Sequence, residues 1–185
     1  VSWQTGFTLA EVRAGHAVDR IDEDGKRVVD RLIEGLREGK DHVLVGPPGA
    51  GKSTTCMAVA CDWFEQGLGP VLYRERGRGD EFTSTALLEA YLRQTDGHTL
   101  VVIEDAVRRE ANAVFDLMQV LGGHDDITFL LDSRQSEWDD SEGLGIDPRV
   151  SSYRRTSVRE ISMPELGNDG YERFAKHFEQ LVGDE

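Results

Sequence analysis

The eight residues Gly46-Pro47-Pro48-Gly49-Ala50-Gly51-Lys52-Ser53 constrain this chain more than any other stretch. They fit the pattern G-x-x-x-x-G-K-[ST], and they stand between an apolar run, His42-Val43-Leu44-Val45, and a segment rich in Ala and Thr with helical spacing. Such a loop belongs where a strand feeds directly into a helix. Its glycines let the backbone curl until successive N–H groups point inward as a nest for an anion, and the helix dipole that starts near Lys52 adds positive potential. Multiplying the chain's own frequencies of Gly, Lys and Ser/Thr over its length puts a chance match at about one in two hundred. Residues 46–53, with Thr54 behind them, are therefore expected to cradle phosphates. Lys52 would reach the β and γ groups and Ser53 would ligate Mg2+.

The surrounding periodicity agrees with that context. Apolar runs bounded by turn residues predict five strands, at His42 to Gly46, Pro70 to Arg76, Thr99 to Glu104, Ile127 to Asp132 and Val158 to Met163. Helical spacing falls between and beyond them, at Lys26 to Glu38, Lys52 to Gln66, Phe82 to Gln94, Ala106 to Leu121 and Asp169 to Val182. Alternating strand and helix implies an α/β fold, a three-layer arrangement in which a mostly parallel five-stranded sheet is flanked by helices. Right-handed crossovers then bring the carboxyl ends of the strands to one edge, where ligands bind. Residues 136–156 are polar and rich in turn formers, and read as a long loop.

With 185 residues, one domain is expected over 1–185: a lead-in over 1–25 and a core over 26–185. A net charge of -14 does not indicate nucleic acid as the main partner, since neutralising phosphates needs a basic surface. Only four Lys stand against seventeen Arg, an acid-rich, Lys-poor balance that resembles proteins of high-salt cytoplasm. No run approaches the roughly 20 apolar residues needed to span a bilayer. The start, Val1-Ser2-Trp3-Gln4, lacks both an initiator Met and a signal pattern, so a cytoplasmic location and excision from a longer protein are expected. Cys56 and Cys61, five apart on a predicted helix, match neither a zinc nor a redox spacing and read as buried reduced thiols. His16, His42, His98, His124 and His177 show no ligand spacing.

Two further segments carry chemistry. Leu100-Val101-Val102-Ile103-Glu104-Asp105 is an apolar strand ending in two acids, as a Walker B segment ends. One acid would serve magnesium and the other would polarise an attacking water. Asp commonly precedes Glu in such segments; here the order is reversed, and position assigns Glu104 to the metal and Asp105 to the water. Asp105 also suits a helix cap ahead of Ala106. The run Thr128-Phe129-Leu130-Leu131-Asp132-Ser133-Arg134 ends in polar groups on the same edge. Arg134 is a candidate sensor of phosphate charge or, equally, one half of a surface ion pair. The mixed-charge cluster Arg74-Glu75-Arg76-Gly77-Arg78-Gly79-Asp80 reads as a solvated turn, and Arg108-Arg109 and Arg154-Arg155 lack the interleaved aromatics of a nucleic-acid platform.

The phosphate loop, the strand ending in paired acids and the later strand ending in Ser133-Arg134 together resemble the signal-transduction ATPases with numerous domains (STAND), relatives of the AAA+ ATPases. The resemblance runs from about Ala17 to the end. It implies a nucleotide-controlled switch, binding ATP or ADP between flanking sensor and effector domains, often in immunity or antiviral defence, with nucleotide-dependent homo-oligomers among its assemblies. It also implies an adenine-contacting segment ahead of the first core helix. Ala17-Val18-Asp19-Arg20 stands there, with Asp where the family has Gly, which makes Arg20 a candidate base contact. The family's winged-helix lid is not recognisable, and Asp169 to Val182 is either its first helix or the last of the core.

Three functions follow: a magnesium-dependent regulatory ATPase, a small-molecule kinase built on the same cradle, or a nucleotide-gated binding module without appreciable turnover. The absence of the guanine-reading Asn-Lys-x-Asp pattern does not by itself separate ATP from GTP; the resemblance to the STAND ATPases implies ATP.

Overall fold

The computed structural model of the chain describes residues 7–75, 85–108, 111, 113–121, 124–139 and 158–183. Five strands form one all-parallel sheet: β1 (Asp41–Gly46), β2 (Val71–Arg74), β3 (Thr99–Ile103), β4 (Ile127–Arg134) and β5 (Val158–Ser162), in the order β2-β3-β4-β1-β5. The helices are α1 (Leu9–Arg13), α2 (Val28–Arg37), α3 (Lys52–Glu65), α4 (Thr85–Leu92), α5 (Val114–Leu121), α6 (Gln135–Asp139) and α7 (Asn168–Gly183). The expected α/β fold with a parallel five-stranded sheet is therefore present, with each predicted strand within a few residues of its place. No helix among the described residues is long and apolar enough to cross a membrane.

The period of two along each strand divides the core into two layers. Leu44, Leu100, Val102 and Leu130 point to the face covered by α2 and α3, where they meet Leu32, Leu36, Val59 and Trp63. Val43, Val45, Val101, Ile103 and Leu131 point to the other face and meet Leu92, Phe115, Met118 and Trp138 from α4, α5 and α6. Each fully buried Leu, Val or Phe stabilises the fold by about 1.5–3 kcal/mol. The central strands, apolar on both faces, are thus fixed in the middle of the sheet.

Three elements differ from expectation. The predicted helix from Ala106 begins only at Val114, because the Ala106 N–H is taken by the Asp132 carbonyl at 3.0 Å, and Arg108, Ala111 and Val114 each bond three residues back. The chain is tied to β4 there and advances by tight turns. At the start of the presumed loop, α6 forms because Trp138 is buried, stacks 6.4 Å from Phe115 and donates its indole N–H to Glu160 at 3.1 Å. The rest of that segment, 140–156, lies outside the described residues, as do Arg76 to Asp80, Arg109 and Arg154-Arg155. The lead-in contains α1, opened by Thr8, whose hydroxyl accepts the Glu11 N–H at 3.3 Å while the Glu11 carboxylate accepts the Thr8 N–H at 2.7 Å. Cys56 is buried and Cys61 half-buried, both as free thiols.

Asp41, at the foot of β1, accepts the Phe129 N–H at 2.9 Å, and burial pushes its carboxyl up to about 6. A carboxyl raised on folding stabilises the protein below its unfolded value near 4, and that contribution is lost as pH rises through 6. Asp41→Asn keeps an oxygen for Phe129 and removes the buried charge. Its melting temperature should overtake wild type between pH 4 and 7, by the equivalent of about 1–2 kcal/mol at neutrality, as scanning calorimetry across that range would show.

Candidate functional site: a phosphate cradle between two cavities

β1 runs out at Gly46, and the chain turns back on itself before α3 begins at Lys52. Gly49 (φ 77°) and Gly51 (φ 90°) take left-handed conformations that a side chain would strain, so the loop needs glycine at both. Two cations brace it from opposite sides. The buried Lys52 ammonium donates to the carbonyls of Gly46 and Pro47, both at 3.0 Å. The Arg20 guanidinium, on the strand-like segment leading to α2, donates to the Ala50 carbonyl at 2.6 Å. Burial draws the Arg20 pKa down, and its second terminal nitrogen is buried without a protein partner.

Opposite the loop stand the ends of β3 and β4. Their pairing sets Ile103 beside Leu131, so that the residues immediately following, Glu104-Asp105 and Asp132, lie together. Glu104 is 3% exposed, and its carboxylate accepts the Tyr73 hydroxyl from β2 at 2.6 Å. The same hydroxyl lies 3.4 Å from the Ser53 carbonyl; burial, first, and the neighbouring Cys56 and Glu104 push the Tyr73 pKa far up, which keeps it a donor. Asp105 has φ 49°, the one positive value at a non-glycine among the described residues, and its N–H donates to Asp132 Oδ1 at 2.8 Å. Asp132 is 2% exposed, and its Oδ2 accepts the Ser53 hydroxyl at 3.4 Å. Burial pushes the Asp132 carboxyl up to about 6; the Asp105 N–H works against this, Glu104 and Asp105 add to it, and Lys52 opposes it.

Two cavities meet at the loop. The smaller, about 260 Å³, is lined by Pro48, Gly49, Gly51, Lys52, Ser53, Thr54, Asp105, Asp132 and Arg134. It is polar, with the loop and Lys52 on one side and Asp105, Asp132 and Arg134 on the other. The larger, about 400 Å³, shares Gly49, Gly51 and Thr54 but is otherwise walled by Phe7, Val18, Arg20, Thr55, Leu166, Tyr171 and Phe174. One cavity suits a chain of phosphates; the other suits a flat, largely apolar group with a few polar edges. Tyr171 and Phe174, 62% and 37% exposed, come from α7 and remain open to a ligand.

The structure brings Lys52, Ser53, Thr54, Asp105 and Arg134 to one cavity, as their positions at strand ends and helix start suggest. Arg134 also pairs with Glu137 at 3.5 Å, the ion-pair alternative for it. Glu104 stands behind the cavity rather than on its wall, and Arg20 lies on the base-sized side. Asp132, Tyr73, Leu166, Tyr171 and Phe174 escaped the sequence reading. An acid at the end of an apolar strand was a signal for Asp132; nothing local marks the others. Among the described residues no group of three or more His, Cys, Asp and Glu forms a metal cluster. The oxygen-only set of the Ser53 hydroxyl with Asp132 and Glu104 nearby still fits magnesium, which takes one or two protein oxygens and completes its shell with water and phosphate.

The chain is similar to several solved structures. DnaA from Aquifex aeolicus, bound to AMPPCP, superposes with a TM-score of 0.59 at 16% identity, over 84% of this chain and 50% of that one. S. cerevisiae Hsp104, in its casein complex, gives 0.61 at 13% identity, over 93% and 32%. Cdc6p from Pyrobaculum aerophilum gives 0.56 at 15%, over 89% and 55%. At these identities the likeness is one of fold alone, and the chain spans half the length of DnaA. No curated protein matches the sequence. Residues 8–144 match the model of the novel STAND NTPase 5 family, a span that takes in the cradle, both acid-bearing strands and Arg134. This chain therefore belongs to the STAND NTPases, as a nucleotide-binding module of the novel STAND NTPase 5 family.

Proposed function

We propose that the domain binds ATP with magnesium, hydrolyses it, and serves as the nucleotide-controlled switch of a larger signalling or defence protein. The observation that carries this reading is the junction of a polar and an apolar cavity at Gly49, Gly51 and Thr54. A nucleoside triphosphate needs that junction: phosphates over the loop amides and Lys52, base among Val18, Leu166, Tyr171 and Phe174, with Arg20 at the join. Arg20's unpartnered nitrogen supplies a donor to the base or ribose.

In the reaction, Lys52 leaves its loop carbonyls for the β and γ phosphates, and Arg134 meets the γ group. Asp105 orients a water in line with the γ phosphorus and takes its proton as the bond to the β–γ bridging oxygen breaks, yielding ADP and phosphate. Magnesium, held through Ser53 with Glu104 behind it, would supply neutralisation of the phosphate charge.

The switch role is supported by where the cavity walls come from. Phe7, Val18 and Arg20 belong to the lead-in, Gly51 and Thr54 to the sheet core, and Leu166, Tyr171 and Phe174 to the C-terminal part. A bound nucleotide would hold these three parts together, and its loss would release them, which is the mechanical requirement of a module that signals to flanking domains. A second reading, a nucleotide-gated module without turnover, is favoured by two observations: Glu104 is engaged by Tyr73, and Asp105 sits in a strained backbone.

Magnesium-dependent phosphate release from ATP and GTP, at low and molar salt, decides between these readings. Release from ATP is expected, and tight binding without release would select the gated module. Lys52→Ala should weaken nucleotide binding at least about tenfold. Asp105→Asn should keep binding and lose about 10²–10⁴-fold in turnover; unchanged turnover would move the water-activating group elsewhere. Tyr171→Ala should cost ATP about 1–3 kcal/mol of affinity while leaving inorganic tripolyphosphate unaffected, in calorimetric titrations. Equal losses for both would remove Tyr171 from the base site. Light scattering in the same samples reads nucleotide-dependent self-association.

A further inference from the structure

We infer that Asp132, on β4, is the carboxylate that receives the Ser53 hydroxyl when that hydroxyl turns to magnesium, and that it sets Asp105 in place through the Asp105 N–H. This deepens the reading above and rests on it. A serine hydroxyl has one proton and two lone pairs. To offer a lone pair to a cation it must send its proton elsewhere, and an ionised acceptor makes that arrangement strongest. Asp132 Oδ2, 3.4 Å from Ser53 Oγ, is such an acceptor. Position along β3 assigns this task to Glu104, yet the Glu104 carboxylate takes a 2.6 Å bond from Tyr73 and does not line the phosphate cavity, whereas Asp132 does.

The other oxygen of Asp132 makes the second half of the case. It accepts the Asp105 N–H at 2.8 Å, and Asp105 holds φ 49°. A non-glycine residue in that region costs energy and persists only where its surroundings fix it. Asp132 supplies that fixation from the neighbouring strand and, with the same carboxylate, reaches the first helical turn after the loop. One side chain thereby links the phosphate loop to the turn that aims Asp105, so the reversed order of Glu104 and Asp105 is matched by an acid on the next strand. Asp132 is a positioning residue: it acts through Ser53 and Asp105.

The test is the magnesium dependence of binding of a fluorescent, non-hydrolysable ATP analogue to the whole chain. Asp132→Asn keeps an oxygen for the Asp105 N–H but presents an amide in place of the second acceptor. It should need at least about tenfold more magnesium for half-maximal tightening, the usual cost of losing a partner of a metal ligand. Its affinity for the analogue in EDTA should equal or exceed that of wild type, since a negative charge beside the phosphates is gone. Glu104→Gln should shift the magnesium titration less. A native circular dichroism spectrum and an undiminished melting temperature for Asp132→Asn separate this from misfolding. A magnesium titration like that of wild type in Asp132→Asn, or a larger shift in Glu104→Gln, overturns the inference and leaves the nucleotide reading standing. Failure of wild type to bind the analogue with or without magnesium overturns both.

Discussion

The parallel pairing of β1 with β4 at the centre of the sheet is the constraint on which the rest depends. It sets Val43 beside Leu131 and Gly46 beside Arg134, joining segments separated by 88 positions in the chain. The pairing is held by strands apolar on both faces, so a slip of one residue would exchange the two core layers and carry a high cost. Once it is made, the phosphate loop has no freedom to leave the tips of β3 and β4. The polar cavity follows from that juxtaposition, and the larger one is completed by the chain's two ends.

A site for a polyanion in a chain of net charge -14 looks contradictory until its sources of charge are separated. Loop amides and the start of α3 supply fixed partial positive charge at no cost in side-chain entropy. Lys52 and Arg20 brace the loop carbonyls. Buried carboxylates gather on the far side, where their mutual repulsion favours a cation from solution. The phosphates and that cation would each relieve a field the other half of the site creates, so nucleotide and metal are expected to bind as one unit.

Much of the architecture was legible locally. Apolar runs marked all five strands, and the glycine pattern marked the loop and the start of α3 within a residue. The failures share a cause. The predicted helix from Ala106 was delayed because a backbone N–H there found a partner on β4, which no periodicity in 106–121 reveals. The α6 turn exists because Trp138 finds Phe115 and Glu160, neither of them near in sequence. Tyr73 reads locally as a strand aromatic, and only the sheet order shows its hydroxyl to be on Glu104.

The amino-acid sequence by itself determined the class of fold, the glycine-rich loop between β1 and α3, and the membership of a nucleotide-binding family, because each is written in residues that are neighbours along the chain. Only the tertiary structure decided which acid faces Ser53, which tyrosine engages Glu104, and which aromatics from α7 wall the larger cavity. Those choices depend on strand order and on how the chain's two ends fold over the loop. They are set by packing between distant segments, and short-range patterns carry no record of which distant partner a side chain will meet.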